Sequence, residues 1–324
     1  MRVVSLLPSA TEILCAIGAR DLLVGRSHEC DFPPGLDDLP ALTAQRTRYE
    51  GASTTAAADV DAQVRAARSE GESLYELDAE ALAALRPDVI LTQDLCDVCS
   101  IDLGAVQRIA ATLDPTPAIV SLNPETVEGV LDDLLTVGRA VGREREASGA
   151  VVRLSDRLLR AQEHVNAYEE GPVVGFMEWT DPIYIAGHWT VQLIERAGGR
   201  HPLNETVAGE EAGSAAGLQQ SQRRAGRSIA VSPEVFDATR PEYLVIAPCG
   251  LNLDQTRAEA ARLHEKSWFR ELPAVRAGRV ALVDGSQMFN RPGPRLVDAF
   301  EWLVGWLQDR PELAPTGFPW APLA

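Results

Sequence analysis

The chain alternates short apolar runs with longer stretches of helical periodicity, and this alternation constrains the fold more than any other feature. The apolar runs lie at residues 3–7, 89–92, 118–122, 173–177, 244–247 and 280–283. Roughly ten or more residues of helical pattern separate most of these runs. Such alternation predicts an α/β fold with largely parallel sheets.

An internal repeat predicts two similar α/β lobes. The stretch LDAEALAALRPDVILTQDL (77–95) aligns without gaps on VSPEVFDATRPEYLVIAPC (231–249). Each copy begins as a helix, passes through Arg-Pro-acid, and continues as a buried strand and a polar loop. We therefore predict an N-terminal lobe at 1–122 and a C-terminal lobe at 171–324.

The segment between the lobes, residues 123–170, has a continuous helical pattern. Asn123 is a predicted N-cap and Pro124 a predicted first helical residue, and the pattern is interrupted near Gly142. Glycine and serine are sparse, so this is not a flexible linker. Ser9 and Glu12 form a predicted capping box, which indicates a helix start near the N-terminus. A final helix is predicted after Pro294.

Composition excludes several classes of partner. The formal net charge is −17 without a long basic stretch, so neither nucleic acid nor an anionic membrane surface is an expected partner. No apolar run approaches the roughly 20 residues of a membrane span. Polar residues interrupt the apolar N-terminus, so it is not predicted to be a signal peptide. We therefore expect a cytoplasmic protein with reduced cysteines.

The loops that follow the predicted strands contain most of the residues that could bind a ligand or a metal. Ligands of open α/β sheets lie beyond the carboxyl ends of the strands, and these loops hold four of the five cysteines and two of the five histidines. The candidate cleft residues are His28, Cys30, Cys96, Cys99, His188 and Cys249, with Trp179, Tyr184 and Trp189 as aromatic walls.

Three interpretations of these cysteines and histidines stay open. The first interpretation is direct ligation of a metal or a metal-bearing cofactor, because thiolate and imidazole suit Zn, Co and Fe. The candidate metal ligands are His28, Cys30, Cys96, Cys99 and His188. The others are a pocket lining without coordination and ordinary packing, since free cysteine is often a small buried hydrophobe. A redox role for Cys96-Asp-Val-Cys99 is disfavoured, because Asp94 and Asp97 raise a thiol pKa.

Other side chains of these loops suit a large planar ligand. Glu178 and Trp179 offer a carboxylate anchor beside an indole face. Arg291 and Arg295 frame a proline-stiffened loop and suit a carboxylate, an amide carbonyl or a phosphate. The stretch His28-Glu29-Cys30-Asp31 places four polar side chains in one loop. Dinucleotide, P-loop, serine-hydrolase and zinc-protease motifs are absent from the sequence, which favours binding over catalysis.

Five stretches of the chain together resemble one family of binding proteins. They are RVVSLLPSATEILCAIGARDLLVGRSHECDFP, LRPDVILTQDLCDVC, EWTDPIYIAGHWTVQLIERAGG, RPEYLVIAPCG and AVRAGRVALVDG. They resemble the periplasmic-binding-protein-like cobalamin- and siderophore-binding proteins, the substrate-binding components of ABC importers for corrinoids, haem and iron chelates. The resemblance covers nearly the whole chain and is greatest to a cobalamin-binding subgroup without an export signal.

This resemblance implies a fold and a ligand. The fold is that of class III periplasmic-binding proteins: two Rossmann-like lobes bridged by a long α-helix, with the ligand between the lobes. The implied ligand is cobalamin or a related corrinoid. The resemblance adds these residues to the candidate ligand site: Ser9, Thr11, Glu12, Glu29, Gln93 and Asp94.

We therefore predict a non-catalytic corrinoid-binding protein that acts as an intracellular carrier, store or sensor. One alternative is a Zn- or Fe-dependent enzyme that uses a Cys/His site in the same cleft. A second is the substrate-binding component of an ABC importer, with the transporter as partner.

Overall fold

The computed structural model describes residues 1–51, 56–70, 73–94, 101–166, 170–209 and 223–323. It forms two compact units whose bounds differ from the division at residues 122 and 170 made from the sequence. Unit 1 comprises Met1–Arg48, Ala62–Pro124 and Glu128–Ser155, and unit 2 comprises Tyr49–Asp61, Glu125–Val127 and Asp156–Ala324. Within the described ranges, no helix is long and apolar enough to cross a membrane.

A parallel sheet forms the centre of unit 1. The strands are β1 (Val3–Ser5), β2 (Leu23–Arg26), β3 (Thr43–Gln45), β4 (Tyr75–Leu77), β5 (Val89–Thr92) and β6 (Ala118–Ser121). Parallel pairing gives the order β2-β1-β5-β6, and β3 and β4 form a separate antiparallel pair. Val4, Ile90 and Leu82 are fully buried and pack in the core of this unit.

Helices connect the strands of the first part of the chain. They are α1 (Pro8–Ala16), α2 (Ala56–Ser69), α3 (Ala79–Leu85), α4 (Leu103–Ala110), α5 (Val127–Val141) and α6 (Glu144–Gln162). Gly142, in the left-handed region at φ 66°, lies between α5 and α6. The predicted interruption near Gly142 thus separates two helices. Helix α5 begins at Val127, so the predicted start at Asn123 and Pro124 is wrong by several residues.

Unit 2 contains a six-stranded mixed sheet. The described strands of unit 2, inside and outside this sheet, are β7 (Val174–Thr180), β8 (Ile183–Ile185), β9 (Val207–Ala208), β10 (Arg223–Arg224), β11 (Ile229–Val231), β12 (Tyr243–Ile246), β13 (Val280–Val283) and β14 (Trp320–Pro322). The order is β11-β8-β7-β12-β13-β14, in which β7, β12 and β13 are parallel and the others antiparallel to their neighbours. Strands β9 and β10 form a separate pair.

The helices of unit 2 cover this sheet. They are α7 (His188–Arg196), α8 (Pro233–Ala238), α9 (Leu253–Glu265), α10 (Ser267–Glu271), α11 (Pro273–Arg276) and α12 (Leu296–Leu307). Helix α12 is the helix predicted after Pro294. Its Trp302 is 1% exposed. Phe289, Trp306, Phe318 and Trp320 surround this indole with ring centroids 4.9–6.0 Å away.

The predicted repeat corresponds to α3–β5 in unit 1 and α8–β12 in unit 2. In both copies the arginine before the proline lies in the left-handed region, with Arg86 at φ 44° and Arg240 at φ 49°. Arg86 is the C-cap of α3. The following proline cannot continue a helix, so the Arg-Pro pair ends the helix and directs the chain into the strand.

Candidate functional site

The carboxyl ends of the parallel strands in unit 1 form the first group of candidate residues. The Leu6 N–H donates to Leu91 O at 2.9 Å, and the Leu122 N–H donates to Thr92 O at 2.8 Å. The Asp94 N–H donates to Asn123 Oδ1 at 2.6 Å. These bonds hold the loops after β1, β5 and β6 together, as expected for parallel strands.

Helix α1 buries the residues of the SATE stretch. The helix begins at Pro8 after an extended Leu7, without a side-chain cap, so the predicted capping box at Ser9 is wrong. Ser9, Thr11 and Glu12 are buried inside the helix. Thr11 Oγ1 lies 3.0 Å from Cys30 Sγ. In this state the stretch therefore packs α1 against the loop after β2.

His28 is held in unit 1 by hydrogen bonds to one threonine side chain. Its Nδ1 lies 2.7 Å from Thr43 Oγ1, and its backbone N–H donates to the same oxygen at 3.1 Å. Its Nε2 is buried and has no hydrogen-bond partner. Burial lowers the pKa of His28 from 6.5, and the Arg26 charge lowers it further. His28 is therefore a neutral imidazole at neutral pH.

The other candidates of unit 1 differ in burial. Gln93 is buried, Glu29 is half-buried and Asp94 is exposed. Cys96 and Cys99 lie outside the described residues. Among the described residues, no three His, Cys, Asp or Glu side chains come together as a metal-binding group.

In unit 2, Glu178 joins two of the predicted loops. Its backbone carbonyl accepts a hydrogen bond from the Cys249 N–H at 2.9 Å. Its Oε1 accepts one from the Gly187 N–H at 3.2 Å. Glu178 thereby holds the exposed Cys249 and the turn before α7 next to the strand that carries Trp179.

His188 is the first residue of α7 and has strained backbone geometry. Its φ is +48°, in the left-handed region that β-carbon-bearing residues rarely adopt. The half-buried imidazole stacks on Trp189 with ring centroids 5.7 Å apart. Its Nδ1 is buried without a partner. Burial lowers its pKa, and the Glu125 charge partly opposes this effect.

The aromatic side chains are fixed in different ways. The Trp189 indole N–H donates to Phe289 O at 2.7 Å and the residue is only 9% exposed, so it supports His188 from the core. The half-buried Trp179 donates its indole N–H to Ala57 O at 3.1 Å. Tyr184 pairs with Trp179 across β7 and β8. Of the two tryptophans, Trp179 is the more exposed.

The two predicted arginines belong to a buried polar loop after β13. Arg291 and Arg295 are 9% and 8% exposed. Arg295 Nη1 donates to Gln287 Oε1 at 2.5 Å, and Gln287 Nε2 donates to Asp284 Oδ2 at 3.1 Å. Arg295 therefore stiffens this loop as well as carrying charge.

Sequence reasoning missed several residues that position these groups. Thr43 organises His28 from 15 residues away, and Asn290 donates to the carbonyls of Ala247 and Gly285 at 2.9 and 2.8 Å. The Asp-Gly-Ser start of the loop at 284 signalled a turn that attracts side-chain hydrogen bonds. Thr43 gave no local signal, since its partner is a tertiary neighbour.

The comparisons with known proteins bear on what these groups bind. A model of the family described as periplasmic binding protein matches residues 3–286. The chain belongs to this family. A curated relative from Halobacterium salinarum, a "Cobalamin-binding protein", is 23% identical over 302 residues. That alignment covers 92% of this chain and 66% of the relative, so the chain spans less than two thirds of the relative's length.

Solved structures of similar proteins share the fold. A periplasmic haem-binding protein from Pseudomonas aeruginosa has a TM-score of 0.68 at 21% identity, over 95% of this chain and 92% of that one. The periplasmic vitamin B12-binding protein BtuF of Vibrio cholerae has a TM-score of 0.62 at 18% identity, over 95% and 97%. The predicted class III periplasmic-binding-protein-like α/β fold is thereby confirmed.

The neutral histidines should contribute stability that is lost in acid. Burial lowers the pKa of His28, His188 and His201 below 6.5. At these three side chains the unfolded chain therefore binds more protons than the folded one below about pH 6.5. Their contribution to the free energy of unfolding falls as the pH falls further, by at most about 1.4 kcal/mol per pH unit and histidine. Urea unfolding of an Asp133→Asn variant between pH 7 and pH 5 measures this slope, because burial raises the pKa of Asp133 to about 7 and its ionisation gives wild type a slope of the opposite sign in this range.

A histidine variant checks the assignment of that slope. His201 is 2% exposed and its Nδ1 lies 2.9 Å from Val174 O, so the nitrogen donates to this carbonyl. His201→Gln should flatten the pH dependence, whereas the exposed His264→Gln should leave it unchanged. An equal slope in wild type and His201→Gln would contradict the assignment to His201.

Proposed function

We propose that this chain is a non-catalytic binding protein for a corrinoid or a related metal-bearing macrocycle. The observation that carries the proposal is that each unit presents a neutral, half-buried histidine with an unpartnered ring nitrogen, His28 in unit 1 and His188 in unit 2. An unsatisfied buried polar group costs free energy that a ligand can recover. Membership of the periplasmic binding protein family and the cobalamin-binding relative support the ligand class.

The groups of unit 2 suit a planar ligand with polar edges. Trp179 and Glu178 are half-buried neighbours on β7, and they supply an indole and a carboxylate. His188 is a neutral imidazole that can ligate cobalt or iron, or hydrogen-bond a peripheral amide. Trp189 and the backbone bond from the His188 N–H to Gly226 O, at 2.9 Å, fix the position of this residue before any ligand arrives.

Titration of the purified protein with aquocobalamin tests the proposal, with haemin as the competing macrocycle. We expect saturable binding at one equivalent, seen as shifted absorption bands and confirmed by equilibrium dialysis. Binding of neither compound would refute the proposal. One equivalent of Zn or Fe in the protein as purified, without binding of either macrocycle, would favour the metal-dependent enzyme instead.

Replacing His188 should weaken binding. His188→Asn removes the imidazole, and asparagine tolerates the left-handed backbone at φ +48°, so the fold is retained. We expect a loss of about tenfold or more in affinity, the order of one hydrogen bond or coordinate contact. His264→Asn, on the exposed side of α9, is the matched control. Equal affinity of wild type and His188→Asn would exclude His188 from the site.

The cellular role is a separate proposal. Family membership favours a substrate-binding component of an ABC importer, and one structural neighbour, from Listeria monocytogenes, is itself an ABC transporter substrate-binding protein. The cytoplasmic carrier, store or sensor stays a prediction. Cell fractionation and co-purification with membrane transporter subunits distinguish the two roles.

A further inference from the structure

The hydroxyl network around His28 determines which ring nitrogen carries the proton. Thr43 Oγ1 has three neighbours: Ser27 Oγ at 2.9 Å, the His28 backbone N–H at 3.1 Å and His28 Nδ1 at 2.7 Å. Ser27 Oγ also accepts from the Glu29 N–H at 3.3 Å. Ser27 and Thr43 are 3% and 7% exposed, so their hydroxyl protons need partners within the protein.

The two tautomers satisfy this network unequally. If Nδ1 is unprotonated, Thr43 donates to Nδ1 and accepts from Ser27 and from the His28 N–H. Ser27 then donates to Thr43 and accepts from the Glu29 N–H, so both hydroxyl groups are satisfied. If Nδ1 carries the proton, Thr43 accepts twice and donates to Ser27, and the Ser27 hydroxyl proton has no acceptor. Each arrangement leaves one buried donor without an acceptor, the Nε2–H in the first and the Ser27 hydroxyl in the second. The second also leaves the Nε2 lone pair without a donor, so the first arrangement, with fewer unsatisfied groups, is favoured.

This assignment determines the chemistry of the second ring nitrogen, Nε2. With Nδ1 as acceptor, Nε2 carries the proton, and it is buried without a partner. The Tyr75 ring packs beside the imidazole, with centroids 5.9 Å apart and planes tilted by 48°. A protonated Nε2 has no lone pair for a metal ion, but it is a directed hydrogen-bond donor.

We propose that His28 donates a hydrogen bond from Nε2 to a carboxylate or amide carbonyl oxygen on the periphery of the ligand, and that it does not bind the metal. This role rests on the proposed function. Ser27 and Thr43 are the residues that position the donor. Corrinoids carry peripheral amides and haem carries carboxylates, so both ligand classes supply the acceptor.

Nitrogen NMR of protein labelled at histidine tests the tautomer without a ligand. We expect His28 Nδ1 to have the chemical shift of an unprotonated ring nitrogen and Nε2 that of a protonated one. The resonances are assigned by their loss in His28→Phe. A protonated Nδ1 with an unprotonated Nε2 would overturn the donor assignment.

Binding by variants tests the recognition role. His28→Phe should weaken aquocobalamin binding about tenfold and haemin binding up to about a hundredfold, since hydrogen bonds to charged acceptors are stronger. Thr43→Val should cause part of this loss, and Thr43→Ser should restore it. The absorption bands of the bound macrocycles should be the same in His28→Phe and wild type, because His28 does not touch the metal.

The outcomes separate this inference from the proposed function. If wild type binds and His28→Phe binds equally well, the role of His28 is overturned and the proposed function stands. If the absorption bands of the bound macrocycle change in His28→Phe as for a lost axial ligand, His28 binds the metal and the donor role is overturned. If wild type binds neither macrocycle, the proposed function and the recognition role both fall, and the NMR result still decides the tautomer.

Discussion

Asp133→Asn should stabilise this protein by an amount of the order of 4 kcal/mol at pH 8. Burial, with a smaller effect of the neighbouring Asp132, raises the pKa of Asp133 from 3.8 to about 7. Between about pH 4 and pH 7 the Asp133 carboxyl is therefore protonated in the folded state and ionised in the unfolded state. The free energy of unfolding falls as the pH rises through this window. Each unit of pKa difference corresponds to about 1.4 kcal/mol, and the shift spans about three units.

Urea unfolding followed by far-UV circular dichroism, at pH 8 and at pH 4, measures the effect of Asp133→Asn. The gain in free energy of unfolding should be large at pH 8 and should nearly vanish at pH 4, where the carboxyl is protonated in both states. Asp132→Asn, at the exposed neighbouring position of α5, is the matched control and should change stability little. A gain that is equal at both pH values would contradict the assignment to ionisation of Asp133.

Gly285→Ala should be the most disruptive small substitution at the carboxyl end of the sheet in unit 2. A β-carbon at Gly285 would lie 1.8 Å from Pro248 O, which belongs to the backbone. The Gly250 N–H donates to Gly285 O at 3.0 Å, and the Gly285 N–H donates to Leu251 O at 2.8 Å. Relieving the clash breaks this pair of bonds between the two loops, so we expect a loss of about 3 kcal/mol or more.

Gly250→Ala is the natural control for Gly285→Ala. A β-carbon at Gly250 meets no atom within 4 Å, and only its left-handed φ of +78° opposes the substitution. That backbone cost is about 1–2 kcal/mol. Urea unfolding should therefore give Gly285→Ala a much lower free energy of unfolding than Gly250→Ala. Equal losses would show that the loops after β12 and β13 can separate without cost.

Local sequence patterns predicted the strands and the loops that follow them. The runs at 89–92 and 280–283 coincide with β5 and β13 because buried parallel strands are continuous apolar runs between turn signals. The capping box at Ser9 failed because Pro8 takes the first helical position, so Ser9 lies inside α1. A capping motif specifies a helix start only when no stronger start signal precedes it.

Tertiary partners account for what local patterns could not predict. Trp189 has the sequence context of a pocket wall, yet its indole N–H donates to Phe289 O, 100 residues away. The tautomer proposed for His28 depends on its contact with Thr43 in β3, 15 residues along the chain. These contacts depend on how distant elements pack, which neither periodicity nor spacing reveals. The ligand-binding roles of the predicted site residues therefore stay predictions until the variants are measured.

The aromatic cluster around Trp302 and the other tryptophans determine which part of the protein is visible to fluorescence. All six tryptophans of the chain, at positions 179, 189, 268, 302, 306 and 320, belong to unit 2. Intrinsic tryptophan emission thus reports on one half of this molecule and is blind to unfolding that is confined to the other. A tryptophan introduced into unit 1 would give each half its own fluorescent reporter.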